Sequence, residues 1–284
     1  MPETLSSLIP LLLPFDAMQA PFMQQALLGL LLLAPLTAAM GVQVVNFRMA
    51  FFSDAISHSV FAGVALGLLF ALNPQWTTAA FGVVVGLAIM ALQRRSSLAS
   101  DTVIGVFFSA VMAFGLAVVS RERNVARELM RFLYGDILTI DTTSLRWLAL
   151  LFVVLLLFQF YSYNRLLYIG LNPLLAHAHR IEVARYQYLF AGLLALVVIF
   201  AVWAVGVLLV TALLIVPAAT ARNLARSAGA MFWWALLVSL SSAIVGLLIS
   251  AQEWARTATG ATIILVAFAW FVASTLITLA RGRS

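Results

Sequence analysis

The chain has 284 residues, 64% of them hydrophobic and 9% charged, where a soluble domain carries about 25% charged residues. With a mean hydropathy of +1.09, this excludes a soluble enzyme or nucleic-acid-binding module and indicates an integral membrane protein. The formal charge of +6 comes from sixteen arginines against ten acidic residues, with no lysine and no cysteine; a P-loop, a disulfide framework and a thiolate metal site are therefore excluded.

Long apolar stretches separated by short polar ones predict helices, because lipid leaves no partner for free backbone groups; strict alternation, the mark of a β-barrel, is absent. The first basic residue is Arg48, after Glu3 and Asp16, so the basic region of a cleavable signal is missing and insertion without cleavage is expected. Leu5 to Phe15 is too short to span and is broken by Pro10 and Pro14; residues 1–20 are read as an external, interfacial segment. Spans of about 20 residues are predicted near 22–45, 51–72, 75–93, 101–120, 143–163, 186–204, 206–222, 230–250 and 260–280. The stretch 186–222 alternatively reads as one crossing and a bent half-helix, interrupted at Gly206 and Pro217. These elements form an all-α bundle of about eight or nine transmembrane helices, one domain over residues 1–284, with no internal repeat.

Arginine bias places Arg48, Arg94, Arg95, Arg165, Arg180, Arg185, Arg222, Arg226, Arg281 and Arg283 in the cytoplasm, with the N-terminus outside. This exports "RERNVARELMR" at 121–131, read as an amphipathic or surface helix. "GVALG" at 63–67 and "GVVVG" at 82–86 put small residues four apart, a spacing for close helix packing.

The chemistry concentrates in "MAFFSDAISHSVFAG" at 49–63. Asp54 and His58 stand one helical turn apart on one face, so a carboxylate and an imidazole can converge on one ion. A divalent metal needs four or more donors, so the rest come from other helices, water or a second copy of the chain. If the helix starts near Arg48, His58 lies about 15 Å deeper, near the bilayer midplane. An ionised Asp at such depth costs roughly 2.5 to 3.5 kcal/mol, so something compensates it. The competing reading is a self-neutralising Asp–His hydrogen bond that only fixes helix packing. Ser53, Ser57 and Ser59 surround the pair, and their hydroxyls bond back to helix carbonyls in the simplest reading.

His177 and His179 in "LLAHAHRIEVAR" diverge on a helix and are read as part of a solvated cytoplasmic segment. Asp101 opens a predicted helix and suits a cap or dipole partner. Asp136 in "FLYGDIL" stands either in a turn marked by Gly135 or along an entry path at the outer end. No H-E-x-x-H, G-x-S-x-G or phosphate loop occurs, so the chain is not read as an enzyme.

Five ordered segments, "PFMQQALLG" at 21–29, "FRMAFFSDAISHSVFAGVALG" at 47–67, "DTVIGVFFSAVMAFGLAVVS" at 101–120, "FLYGDIL" at 132–138 and "VGVLLVTALLIVPAATARNLA" at 205–225, together with "TGATIIL" at 259–265, resemble the permease subunits of bacterial ABC importers for zinc, manganese and related divalent metals. The resemblance implies a fold similar to the type II permeases of vitamin B12 importers. It implies a homodimer in the bacterial cytoplasmic membrane, two cytoplasmic ATPase subunits and an extracellular or periplasmic metal-binding receptor. The cargo is a zinc or manganese ion, with no permanently bound cofactor and no nucleic acid. The family's metal-contacting residues fall on Asp54 and His58. Its segment leading to the ATPase falls on Pro217 to Arg222, where Pro217 ends or bends the helix and Ala218, Arg222, Asn223 and Arg226 form a basic knob. The chain departs from the family at Phe47, Ser53, Phe61 and Ala62, and in "HAHR" at 177–180. Two alternatives remain at this point: a proton-coupled secondary transporter using Asp54 and His58, and a structural membrane subunit in which the pair only pins helices.

Overall fold

The computed structural model describes residues 19–120, 137–255 and 257–282. The interfacial segment predicted at residues 5–15, the helix predicted at 121–131 and Asp136 lie outside the described residues. Among the described residues, nine helices are long and apolar enough to cross a membrane. They are α1 (Pro21–Asn46), α2 (Phe52–Leu69), α3 (Pro74–Arg95), α4 (Ser100–Val119), α5 (Thr142–Leu171), α7 (Val183–Val205), α8 (Val207–Leu224), α9 (Ala228–Ser250) and α10 (Thr259–Ala280). A short helix, α6 (Pro173–Ala178), follows α5, and a 3-10 turn at Ile137–Thr139 precedes it.

Local chemistry sets the helix ends. Proline occupies the first turn of α1, α3 and α6, where its missing N–H is not needed. Side-chain oxygens of Asn73, Asp141 and Ser227 accept from the backbone of Gln75, Ser144 and Ala230 at 2.9, 2.9 and 3.2 Å, capping α3, α5 and α9. Three C-termini close on a left-handed residue that is not glycine: Arg48, Ala71 and Arg180, at φ of 55, 53 and 57°. In each, that residue's own N–H and the next one turn back onto the last carbonyls, as where Arg48 donates to Val45 at 3.1 Å and Met49 to Val44 at 3.0 Å.

Two helices differ from the sequence reading. α5 has 30 residues, about 45 Å, so it overruns a core of about 30 Å and carries Arg165 and Tyr168 beyond the predicted end at 163. The stretch 186–222, by contrast, is two full helices as the spans at 186–204 and 206–222 predict, not one crossing and a half-helix, and Gly206 alone joins them at φ 88° and ψ 162°, a backbone region open essentially to glycine. α8 does not end at Pro217 but continues seven residues to Leu224; within a bundle, neighbouring helices compensate the one backbone bond that proline removes.

α1, α2 and α7 form the centre, their apolar stretches 72%, 72% and 67% buried against 17% in α10. α2 packs on α3, α4 and α7; α1 packs on α5, α8 and α9; α10 closes against α8 and α9. Close approach depends on small residues. A methyl added at Gly41 would overlap the Leu214 carbonyl of α8, and one at Gly63 would come within 2.5 Å of Thr78 Cα on α3. A methyl at Gly82 would come within 2.1 Å of the Ile199 side chain of α7 and one at Gly86 within 3.3 Å of Ala195 Cβ, so both small-residue pairs are packing devices, as their spacing predicts. Polar contacts add to the packing, with Ser239 donating to the Ala34 carbonyl at 3.0 Å and Gln159 to that of Ala39 at 2.9 Å.

The helix ends sort by charge. One cleft brings together the ends of α1, α3 and α5 and the starts of α2, α4 and α7, and an adjoining cleft adds the end of α8 and the start of α9. Arg48, Arg94, Arg222 and Arg226 line these clefts, and Arg165, hydrogen-bonded to Tyr186 of α7, lies at the same end. The opposite end carries the edge-on pair Trp76 and Trp147, 5.2 Å apart, with Phe200 beside Trp147 at 5.5 Å. The arginine-rich end is the cytoplasmic one by the positive-inside rule, and the tryptophans suit the other interface.

Candidate functional site

α2 begins at Phe52, just past the left-handed Arg48 that closes α1. Asp54 therefore stands in the first helical turn, where the free N–H groups and the helix dipole favour a carboxylate. His58 follows one turn on, the seventh of eighteen residues. The pair thus lies nearer the cytoplasmic end than a helix begun at Arg48 predicts, because residues 47–51 turn instead of adding height.

His58 Nε2 and Asp54 Oδ1 are 3.9 Å apart, longer than a hydrogen bond, which ends near about 3.2 Å. The two are not locked to each other. Two donors on one zinc at about 2.1 Å each lie within about 4.2 Å, so the observed separation admits a shared ion. Asp54 exposes 39% of its side chain and His58 18%, so the carboxylate opens outward while the imidazole sits behind it. The His58 ring is held edge-on by Phe108 of α4 at 5.1 Å and tilted over Phe61 at 5.5 Å. Its Nδ1 is buried without a hydrogen-bond partner.

The neighbouring hydroxyls divide. Ser53 donates to the Ala50 carbonyl at 3.2 Å and Ser59 to that of Ile56 at 2.6 Å, so both serve the helix. Ser57 Oγ is buried and unpaired. Among the described residues no third His, Asp or Glu joins the pair to complete a metal-binding group. Phe61 lies on His58, and Phe47 meets Phe190 edge-on at 5.1 Å.

The other residues singled out from the sequence lie apart. Asp101 is exposed in the first turn of α4, whose N-cap is Ala99, a dipole partner rather than a cap. His177 lines the cytoplasmic cleft, and His179 lies against Tyr168 at 5.3 Å. Pro217 and Ala218 are buried inside α8. Asn223 is tied to Ser274 and Thr275 of α10 at 3.1 and 3.2 Å, while Arg222 and Arg226 are exposed. Sequence reasoning missed Phe108, a phenylalanine in an apolar helix some fifty residues from His58 that carries no local signal.

Fold and pair together describe a multi-pass α-helical membrane protein with a carboxylate and an imidazole one turn apart on one helix of the bundle. The chain matches the ABC 3 transport family over residues 19–278 and belongs to it. It is 34% identical over 249 residues to the high-affinity zinc uptake system membrane protein ZnuB of Haemophilus influenzae, covering 88% of this chain and 95% of that one. It is also 34% identical to the manganese transport system membrane protein MntC of Halalkalibacterium halodurans, covering 88% of this chain and 85% of that one. The structure of PsaBC from Streptococcus pneumoniae in complex with Fab superposes with a TM-score of 0.77 at 30% identity, covering 90% of this chain and 91% of that one. An inward-facing metal-chelate-type ABC transporter shares the fold, with a TM-score of 0.70 at 17% identity over 89% of this chain and 84% of that one.

Proposed function

We propose that the chain is the membrane-spanning permease subunit of an ATP-driven importer for a divalent metal ion, zinc or manganese. The ion passes a site formed by Asp54 and His58. Zinc and manganese enter through the relatives, which are named for the uptake of one or the other; carboxylate and imidazole donors suit both. The observation that carries the reading is the pair itself: two donors 3.9 Å apart, one of them 39% exposed, left unlocked inside a membrane helix. A pair kept only to neutralise itself would close to hydrogen-bonding distance.

In this reading two copies of the permease face each other in the bacterial cytoplasmic membrane, so the second Asp54 and His58 supply donors that one chain lacks. The chain is a single transport domain without catalysis of its own. A receptor outside delivers the ion, and two ATPase subunits dock at the arginine-rich end. The exposed turn from Arg222 to Ser227 is the part of the α8–α9 region offered to them. Pro217 and Ala218 are buried and act only through the helix, and Asn223 fixes the turn to α10. An entry role for Asp136 remains part of the same proposal. A proton-coupled carrier is the second reading, and only the ionisable pair itself favours it.

The test is metal uptake by the reconstituted complex carrying Asp54→Asn or His58→Ala, with assembly and ATP hydrolysis measured in parallel. Loss of uptake in assembled, ATP-hydrolysing complexes supports the site. Unchanged uptake in both variants would falsify it.

A further inference from the structure

Away from the candidate metal path, α5 and α9 leave a groove on the outer surface of the bundle. Its volume is about 580 Å3, and its walls include Leu157 and Phe160 of α5 and Phe232 and Trp233 of α9. Phe160 is 95% exposed and Trp233 67%, so this face meets lipid in a membrane-embedded chain. Nearer the cytoplasmic end, the same two helices frame a second cleft, of about 290 Å3, walled by Leu167 and Leu171 on α5 and by Arg222 and Arg226 at the α8–α9 turn. The two meet at the first turn of α9, where the Tyr163 hydroxyl donates to the Ala228 carbonyl at 3.0 Å and its ring stands edge-on to Phe232 at 5.6 Å.

Neither Arg222 nor Arg226 takes part in an ion pair among the described residues, and the cleft they border contains no carboxylate. Along α5 the joined surface runs from Leu156 to Leu171, about 22 Å, which matches half of a bilayer with its headgroups, roughly 20 to 22 Å. It is apolar at its deep end, amphipathic at Tyr163 and Asn164, and cationic at its mouth.

We propose that this surface binds one anionic phospholipid of the cytoplasmic leaflet. The phosphate lies between the Arg222 and Arg226 guanidiniums, and an acyl chain lies in the α5–α9 groove against Phe160 and Trp233. A basic recess between helices at headgroup level is suited to such a lipid, and the length and polarity gradient of the groove match a lipid better than a soluble anion or an acidic peptide, neither of which would fill its apolar half. The proposal shares Arg222 and Arg226 with the ATPase contact above and relies on that reading only for placing them at the cytoplasmic surface. The lipid would lie on the flank of that contact, so its headgroup would help to set the position of the turn.

The test uses the full-length permease in nanodiscs containing equal parts phosphatidylglycerol and phosphatidylcholine. Retained lipid is identified by native mass spectrometry after gentle detergent transfer, and ATPase association is measured on the same preparations. Arg226→Gln removes one cation. Gly229→Leu fills the groove without distorting the helix, since nothing lies within 4 Å of a Cβ built there. The expected result is retained phosphatidylglycerol on the parent, a fall of about fivefold in Arg226→Gln, the worth of one arginine near a charged surface, and a comparable fall in Gly229→Leu with ATPase association kept. Equal retention of both lipids by the parent, or unchanged phosphatidylglycerol in both variants, overturns the proposal. If Arg226→Gln loses the ATPase while lipid retention is unaffected in both variants, the arginines serve the ATPase alone and the lipid site is overturned.

Discussion

The His58 imidazole meets the Phe108 ring edge-on, with centroids 5.1 Å apart and planes at 89°, so a side chain of α4 packs against the imidazole on α2. If that contact positions the imidazole for an ion, Phe108→Ala leaves the ligands in place but frees the ring. An edge-to-face pair contributes about 1 kcal/mol, so the metal concentration for half-maximal uptake should rise about fivefold while the maximal rate changes less. A half-maximal concentration equal to that of the parent would mean that Phe108 does not hold the ring.

The contact of Gly41 with the Leu214 carbonyl makes a second test. Gly41→Ala drives a methyl into backbone that cannot move as a side chain would, and overpacking of this kind costs about 1 to 3 kcal/mol. Gly192→Ala is the control, because its new methyl would meet only Leu87 at 3.8 Å and should gain about 0.5 to 1 kcal/mol from helix propensity. Thermal unfolding in detergent should lower the midpoint of the first variant and not of the second.

Ala71 holds a φ of 53° where α2 ends, with Leu72 donating back to Gly67 at 2.8 Å. A left-handed residue with a Cβ is strained, and glycine is the usual occupant. Ala71→Gly should stabilise the chain by about 0.5 to 1 kcal/mol, and Ala71→Val should destabilise it by more. Equal midpoints for all three proteins would show that the strain is relaxed in solution.

Asp141 caps α5 outside the membrane-spanning segment. Its hydrogen bonds, chiefly to Ser144, hold the carboxyl below its ordinary value of 3.8. Because the folded state favours the ionised form, the contribution is complete at neutral pH and is lost only as pH falls through the lowered folded value. Asp141→Ala should therefore cost about 1 kcal/mol at pH 7, and the difference between variant and parent should shrink when stability is compared at acid pH. A constant difference across that range would assign the effect to something other than the charged cap.

The nine membrane-length helices among the described residues were legible because apolar run length and arginine placement are summed over many residues, and lipid admits few alternatives to a helix. Asp54 and His58 stood out for the same reason, as ionisable groups in a run of Ala, Ile, Phe and Ser. Less was legible where one residue decides. Arg48 adopts a conformation usually filled by glycine, and this moves the start of α2 to Phe52 and shifts the depth of the pair. Pro217 carries a breaker signal that the surrounding bundle overrides, whereas Gly206, also read as an interruption, does separate two full helices. The edge-on contact of Phe108 with His58 and the arginine-lined cleft beside α5 arise from contacts between distant segments, which periodicity does not record.

Gly206 has a consequence for motion. With no loop between α7 and α8, the chain reverses direction across the bilayer through the torsions of one residue. α8 ends in the exposed turn at the cytoplasmic rim that is proposed to meet the ATPase, and α7 packs against the helix that carries Asp54 and His58. Any swing of one against the other that leaves both helices intact is therefore concentrated at a single pivot on the far side of the membrane, so a force applied at the cytoplasmic rim acts along the whole length of α8 as a lever.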